Sequence, residues 1–243
     1  MDIKNDFDER FFLSRHGRLH YAHHKGNGPT MILLHGLAGS IKTWSRLVQH
    51  LPDSLDMYLV DLLGHGGSEA PDIDYTLLAH YESICDLVDS VIPHKFLIMG
   101  HSYGGWVASY YAAERSGISG LILEDSSGIK EFHDERIESN PDFKEQIVRN
   151  AMELNPHEKV IRSMLDSDNT DAYLTRSRLG IIDARTLVIW GSDDSTVNVK
   201  YAEFFKSYIK GSRLEVLKGE KHTPHYTNPG AVARLVSDFA RKE

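Results

Sequence analysis

Short apolar runs recur along the chain at residues 30–34 (Thr-Met-Ile-Leu-Leu), 57–60, 96–99, 121–123 and 186–190. None alternates with polar residues, which is the pattern of parallel strands buried on both faces. Between them lie longer segments with helical spacing. One begins near Tyr75 and sets Leu77, Leu78, Tyr81, Ile84, Cys85, Val88 and Val91 on one stripe. Others span residues 102–115, 199–209 and 229–241. Strand followed by helix, repeated, predicts an α/β fold: a mostly parallel central sheet with helices on both faces. Residues 11–24, centred on Gly17, read as a leading hairpin.

One stretch breaks the alternation. Residues 126–185 are charged and helix-prone, with Pro141 and Pro156 as punctuation, and predict two to four short helices inserted between sheet strands. Placed there, they form a helical cap over the strand ends. The expected organisation is a core of residues 1–125 and 186–243 with an inserted cap at 126–185.

Composition narrows the function classes. At 243 residues, 41% hydrophobic and 26% charged, the chain suits one globular domain. A net charge of −8 is the wrong sign for a nucleic-acid binder. The single cysteine, Cys85, can form neither an internal disulfide nor a cysteine zinc site. The first ten residues are charged throughout, and no apolar stretch is long enough for a membrane span, so a cytoplasmic protein is expected. Either a monomer or a homodimer fits.

The sharpest chemical signal is Gly100-His101-Ser102-Tyr103-Gly104, which follows an apolar run and opens a helical segment. In that frame Gly-x-Ser-x-Gly is a nucleophile elbow, with the serine hydroxyl exposed at the carboxyl edge of the sheet. A serine needs a base to take its proton, and the base needs an orienting carboxylate. The run at 186–190 leads into Gly191-Ser192-Asp193-Asp194, and the run at 214–217 leads into Lys218-Gly219-Glu220-Lys221-His222. Ser102, Asp194 and His222 thus each follow a strand on the same edge. Asp193 and Asp125 are alternative acids, and His225 is an alternative base. An oxyanion needs amide donors. Tyr103 at the helix start supplies one, and Leu37, beside Gly36 in the loop after the early strand, supplies the second.

These motifs together resemble the α/β-hydrolase superfamily over nearly the whole chain outside the inserted segment. Asp61-Leu62-Leu63-Gly64-His65-Gly66-Gly67-Ser68 is similar to that family's loop after its fourth strand. Gly191-x-x-Asp194 resembles its acid position, and His222-Thr-Pro-His225-x-x-Asn228-Pro229 its histidine loop. The resemblance implies a cap after the sixth strand, a Ser-Asp-His triad and hydrolysis through an acyl intermediate. It also selects Asp194 over Asp193 and Asp125. Lys221 stands where a glycine usually precedes the histidine, and Thr227 where an acidic residue is frequent.

The expected activity is therefore a serine carboxylesterase acting on a small-molecule ester, with no cofactor and no metal. Rivals on the same triad are a carbon–carbon bond hydrolase, a lactonase and an aminopeptidase; a non-hydrolytic lyase or ligand receptor is the rival from another class. Thr223, rather than an aromatic residue, follows the histidine and weighs against the carbon–carbon hydrolase. His20, His23 and His24 are expected to be a surface cluster, and His65 a structural loop residue. Trp44 and Trp106 are expected to pack. Tyr103, Phe132, Phe143, Met164 and Tyr173 are candidates to line an acyl pocket.

Overall fold

The structure, a computed structural model, describes residues 6–93, 95–131, 135 and 142–241. Eight strands form one sheet: β1 (Asp8–Ser14), β2 (Gly17–His24), β3 (Thr30–Leu34), β4 (Asp56–Val60), β5 (Phe96–His101), β6 (Ile118–Glu124), β7 (Thr186–Gly191) and β8 (Arg213–Leu217). Their spatial order is β1-β2-β4-β3-β5-β6-β7-β8. The hairpin β1–β2 and the β2–β4 pair are antiparallel, and every other pair is parallel. The mostly parallel sheet follows the sequence reading.

Because successive side chains point to opposite faces, each strand feeds two cores. Ile32, Leu34, Val60, Ile98, Leu123 and Trp190 pack on one face against helices α1 (Leu77–Val91), α2 (Tyr103–Glu114) and Lys200–Tyr208. Met31, Leu33, Leu59, Met99, Ile122 and Ile189 pack on the other face against Trp44, Leu47 and the helix Pro229–Ala240. α1 starts where Thr76 caps it, its hydroxyl accepting from Ala79 N at 3.1 Å. The sequence reading missed the short 3-10 turn Ile41–Trp44, capped by Ser40, and the one-turn helix Pro224–Thr227.

β1 begins three residues earlier than the apolar pattern indicated, inside the charged start. It is an edge strand whose Phe11 and Leu13 face outward, so burial leaves no signature there.

Between β6 and β7 the described residues form helices Phe143–Ala151, Glu158–Asp166 and Arg176–Gly180 and a 3-10 turn at Thr170–Ala172. Val148, Ala151 and Ile161 pack on Ala38, in the loop after β3. Asn155 Nδ2 donates to Gly64 O at 2.9 Å, and Tyr75 N donates to Ser163 Oγ at 2.8 Å. This segment is thereby tied to the loops at the carboxyl ends of β3 and β4. Phe132 and Pro141 lie outside the described residues. No described helix is long and apolar enough to cross a membrane.

Candidate active site

The six parallel strands β3 to β8 deliver their following loops to one edge of the sheet, where such folds place their ligands. Ser102 sits at the sharpest of these turns, between β5 and α2. Its backbone has φ 51° and ψ −115°, a strained conformation for a side chain. A Cβ on Gly100 would stand 2.2 Å from Gly104 O, and one on Gly104 would stand 2.2 Å from Leu34 O. Those glycines let the turn close against the neighbouring strand. Ser102 N donates to Glu124 O at 3.0 Å, and Ser127 N donates to Ser102 O at 3.1 Å, so the end of β6 and the loop after it hold the strained residue from both sides.

The structure brings Ser102, Asp194 and His222 together. Ser102 Oγ lies 3.1 Å from His222 Nε2, and His222 Nδ1 lies 2.7 Å from Asp194 Oδ2. A carboxylate can only accept, so Nδ1 carries the ring proton and Nε2 is left as the acceptor facing the serine. The second oxygen of Asp194 accepts from Thr196 N at 2.7 Å and Val197 N at 2.9 Å. Its carboxylate is fully buried, whereas the His222 ring keeps partial access to the cleft. Asp193 is exposed and accepts from Ser192 Oγ at 2.6 Å. Asp125 Oδ1 accepts from Gly191 N at 2.9 Å.

Leu37 and Tyr103 line the same cavity as Ser102. The neighbouring amides of the Leu37 loop are engaged elsewhere: Ala38 N donates to His65 Nε2 at 3.2 Å and Gly39 N to Gly36 O at 3.0 Å. Tyr103 is the first residue of α2, where amides have no partner within the helix and the helix dipole favours negative charge. His65 has the structural role read from the sequence. Burial pushes its ring down to about 3, so it stays neutral and can accept from Ala38.

His225, the alternative base, turns away from the serine. Its amide and its Nδ1 reach Glu124 Oε1 and Oε2 at 2.7 and 2.8 Å. His101 Nε2 donates to His222 O at 2.7 Å, and its ring meets that of His225 edge-on at 4.6 Å. Sequence reasoning assigned no role to Glu124 or His101, yet both fix the loop that carries His222. Lys221 and Thr227, the departures from the family pattern, fit without strain. The described non-glycine residues with positive φ are Ala38, Ser102 and Asp125, so Lys221 needs no glycine. Thr227 Oγ1 donates to Glu220 Oε2 at 2.5 Å within the same loop.

The cavity over Ser102 has a volume of about 410 Å³, within the range of small-ligand pockets. Tyr103, Phe143, Met164 and Tyr173 line it, as the sequence suggested. Trp106 does more than pack: it lines the cavity, stacks on Tyr173 at 5.1 Å and donates from Nε1 to Ala172 O at 2.9 Å. Trp44 is wholly buried against His225.

Asp125, Asp194 and His222 offer the one set of potential metal ligands among the described residues, with donor atoms within 4.8 Å of one another. The 2.7 Å contact of Asp194 with His222 is that of a shared proton, and a cation there would have to displace it. His20, His23 and His24 correct the surface-cluster expectation, because all three are buried. Each has its own partner across the sheet: Asp61 at 2.7 Å, Asp56 at 2.8 Å and Asp53 O at 2.9 Å. They converge on no common centre because His23 faces away from its neighbour His24, while His20 and His24 lie about 13 Å apart along one face of β2.

Comparison with known proteins agrees with the fold. The family model described as alpha/beta hydrolase fold matches residues 29–155. The chain is 27% identical to monoacylglycerol lipase abhd6-B of Xenopus laevis, over 88% of this chain and 76% of that protein. Among solved structures, a serine hydrolase involved in carbazole degradation superposes with a TM-score of 0.82 at 20% identity, covering 98% of this chain and all of the other. The 2-hydroxy-6-oxo-6-phenylhexa-2,4-dienoate hydrolase of Rhodococcus sp. strain RHA1 superposes with a TM-score of 0.79 at 19% identity, covering 97% of this chain and 99% of that one. At these identities the structural matches speak for the fold alone. Fold, strand-end geometry and family model converge: the chain belongs to the alpha/beta hydrolase fold family.

Proposed function

We propose that the protein is a serine hydrolase that cleaves neutral carboxylic esters through an acyl-enzyme. The observation that carries this is the file of Ser102, His222 and Asp194 at the floor of the cavity. Ser102 Oγ attacks the ester carbonyl while His222 Nε2 takes its proton. Asp194 holds the ring and stabilises its charged form. The Leu37 and Tyr103 amides receive the developing oxyanion. His222 then passes the proton to the leaving alkoxide, which departs as the alcohol. Water, deprotonated by His222, attacks the acyl carbon and frees Ser102. The helices between β6 and β7 act as the cap, because Phe143, Met164 and Tyr173 supply the cavity wall opposite the serine.

The lining supports the choice of a neutral ester. Among the described lining residues there is no carboxylate to hold the ammonium of a peptide substrate. Lys144 is the lining cation, and it donates to Asp166 Oδ1 at 2.8 Å rather than standing free for an anionic substrate such as a dienoate. These features weigh against the aminopeptidase and carbon–carbon hydrolase readings. The Xenopus laevis relative, by name, acts on a monoacylglycerol, which is a neutral ester.

Hydrolysis of p-nitrophenyl esters from acetate to palmitate, by wild type and Ser102→Ala, tests the reading. Turnover that peaks at short or medium chains and vanishes in the variant supports it. Turnover unchanged by the substitution, or absent on every ester, rejects it.

A further inference from the structure

Behind the Ser102–His222–Asp194 file lies a fourth ionisable side chain. Asp125 follows β6 directly, and Asp194 follows the neighbouring parallel strand β7, so the two carboxyls emerge side by side. Asp125 is fully buried. Its backbone is clamped by Asp125 N donating to Ile189 O at 3.1 Å, with φ held at 45°. Aspartate tolerates that region better than most residues, but the conformation is still strained and persists only where the surroundings impose it. Oδ1 accepts from Gly191 N, while Oδ2 is buried and no donor among the described residues is directed at it.

The two acids are unequally served. Asp194 receives three donors, from Thr196 N, Val197 N and His222 Nδ1. Asp125 receives one. Two adjacent carboxyls shielded from water do not both ionise, and the charge settles on the better-solvated one. Asp194 therefore carries the charge and Asp125 the proton. Three groups face Asp125: Glu124 from the same strand end, Asp194 from the end of β7 and His222 from the loop after β8.

We propose that Asp125 is a positioning residue for the triad: protonated, it donates to Asp194, and when Asp194 is lost it ionises and orients His222 in its place. The inference rests on the serine-hydrolase reading only for its effect on turnover; the location of the proton is independent of it. Burial, reinforced by the charges of Glu124 and Asp194, holds the Asp125 carboxyl well above the usual carboxylate range, in agreement. The stand-in role is argued from proximity, since a carboxylate oxygen of Asp125, one of Asp194 and a ring nitrogen of His222 all lie within 4.8 Å of one another.

Two measurements on the full chain test this. The first is carboxyl ¹³C NMR of aspartate-labelled protein. One aspartate carboxyl should remain protonated at neutral pH, and its signal should vanish in Asp125→Asn. That variant keeps an oxygen for Gly191 N and a donor for Asp194, and retained amide dispersion establishes that it folds. If the Asp125 carboxyl titrates in the ordinary acidic range, the proposal is overturned whatever the enzyme turns over.

The second compares ester kcat in Asp194→Asn and Asp125→Asn/Asp194→Asn. Replacing a triad acid by asparagine with no stand-in costs about ten thousandfold. With Asp125 standing in, Asp194→Asn should lose only about a hundredfold and recover as pH rises, because Asp125 must first release its proton. The double variant should fall a further tenfold to hundredfold and show no alkaline recovery. Equal loss in the two variants overturns the stand-in role. Asp125→Leu should lower kcat about tenfold, and Asp125→Asn should restore most of it. A protonated Asp125 in a protein with no serine-dependent turnover would locate the failure in the esterase reading instead.

Discussion

His225 is joined to Glu124 twice, its amide to Oε1 at 2.7 Å and its ring to Oε2 at 2.8 Å, across 101 residues of sequence and with both side chains buried. This pair ties the loop bearing His222 to the end of β6, whose Glu124 carbonyl also holds the amide of Ser102. His222 and Ser102 are thus referenced to one residue.

Removing one partner of such a buried pair costs about 3–5 kcal/mol. Glu124→Ala should lose stability on that scale in urea unfolding. Glu124→Gln keeps an acceptor for the His225 amide and should lose less, while ester kcat falls about tenfold because the His222 loop loosens. Unchanged kcat in a folded Glu124→Gln would show that the pair does not position the base.

Ser102 stores strain that serves its exposure. Backbone outliers of this kind cost about 1–3 kcal/mol, and glycine alone adopts them freely. Ser102→Gly should be more stable than Ser102→Ala by about 1 kcal/mol, with both variants inactive. Equal stabilities in denaturant titration would place the strain elsewhere.

Burial keeps several histidines uncharged. His35, His65, His80 and His101 all titrate below the ordinary imidazole value, with loss of solvent as the first cause in each. Below about pH 6.5 the unfolded chain binds protons at these rings that the folded chain refuses, so stability falls as pH drops. The slope is about 1.4 kcal/mol per pH unit for each fully depressed ring. His20 opposes this: its bond to Asp61 raises its value, giving a contribution present below pH 6.5 and lost as pH rises through the raised value. Urea unfolding between pH 7 and 5.5 should show the net loss. Among the described residues His80 has no hydrogen-bond partner for either ring nitrogen, so His80→Phe should flatten the curve by about one ring's share. A stability independent of pH over that interval would contradict the account.

The cavity wall should set chain length. Met164 is buried and lines the cavity from the segment between β6 and β7. Met164→Trp fills part of its volume and should shift the ester optimum to shorter acyl groups, with acetate turnover changed less than that of longer chains. An unaltered chain-length profile would move the acyl site elsewhere.

Much of this was legible in the sequence because burial is written into it locally. Strands β3 to β7 are apolar runs since both their faces are covered. Ser102 and Asp194 were placed because each follows such a run, and His222 because it follows the short strand predicted at 214–217. Contacts made between distant segments left no local trace. Glu124 closes an apolar strand and shows no spacing with His225. His20, His23 and His24 looked like surface residues because their partners, Asp61, Asp56 and Asp53, lie in or beside β4, which only sheet pairing brings near. The burial of Asp125 against Asp194 likewise depends on β6 and β7 being neighbours.

The central claim is that Ser102 is a nucleophile activated by His222. Treating the protein with a fluorophosphonate probe and locating the adduct by mass spectrometry tests it most directly. One adduct per chain is expected, on Ser102, absent in Ser102→Ala and formed far more slowly in His222→Ala. Labelling on another residue, or none on folded wild-type protein, would contradict it.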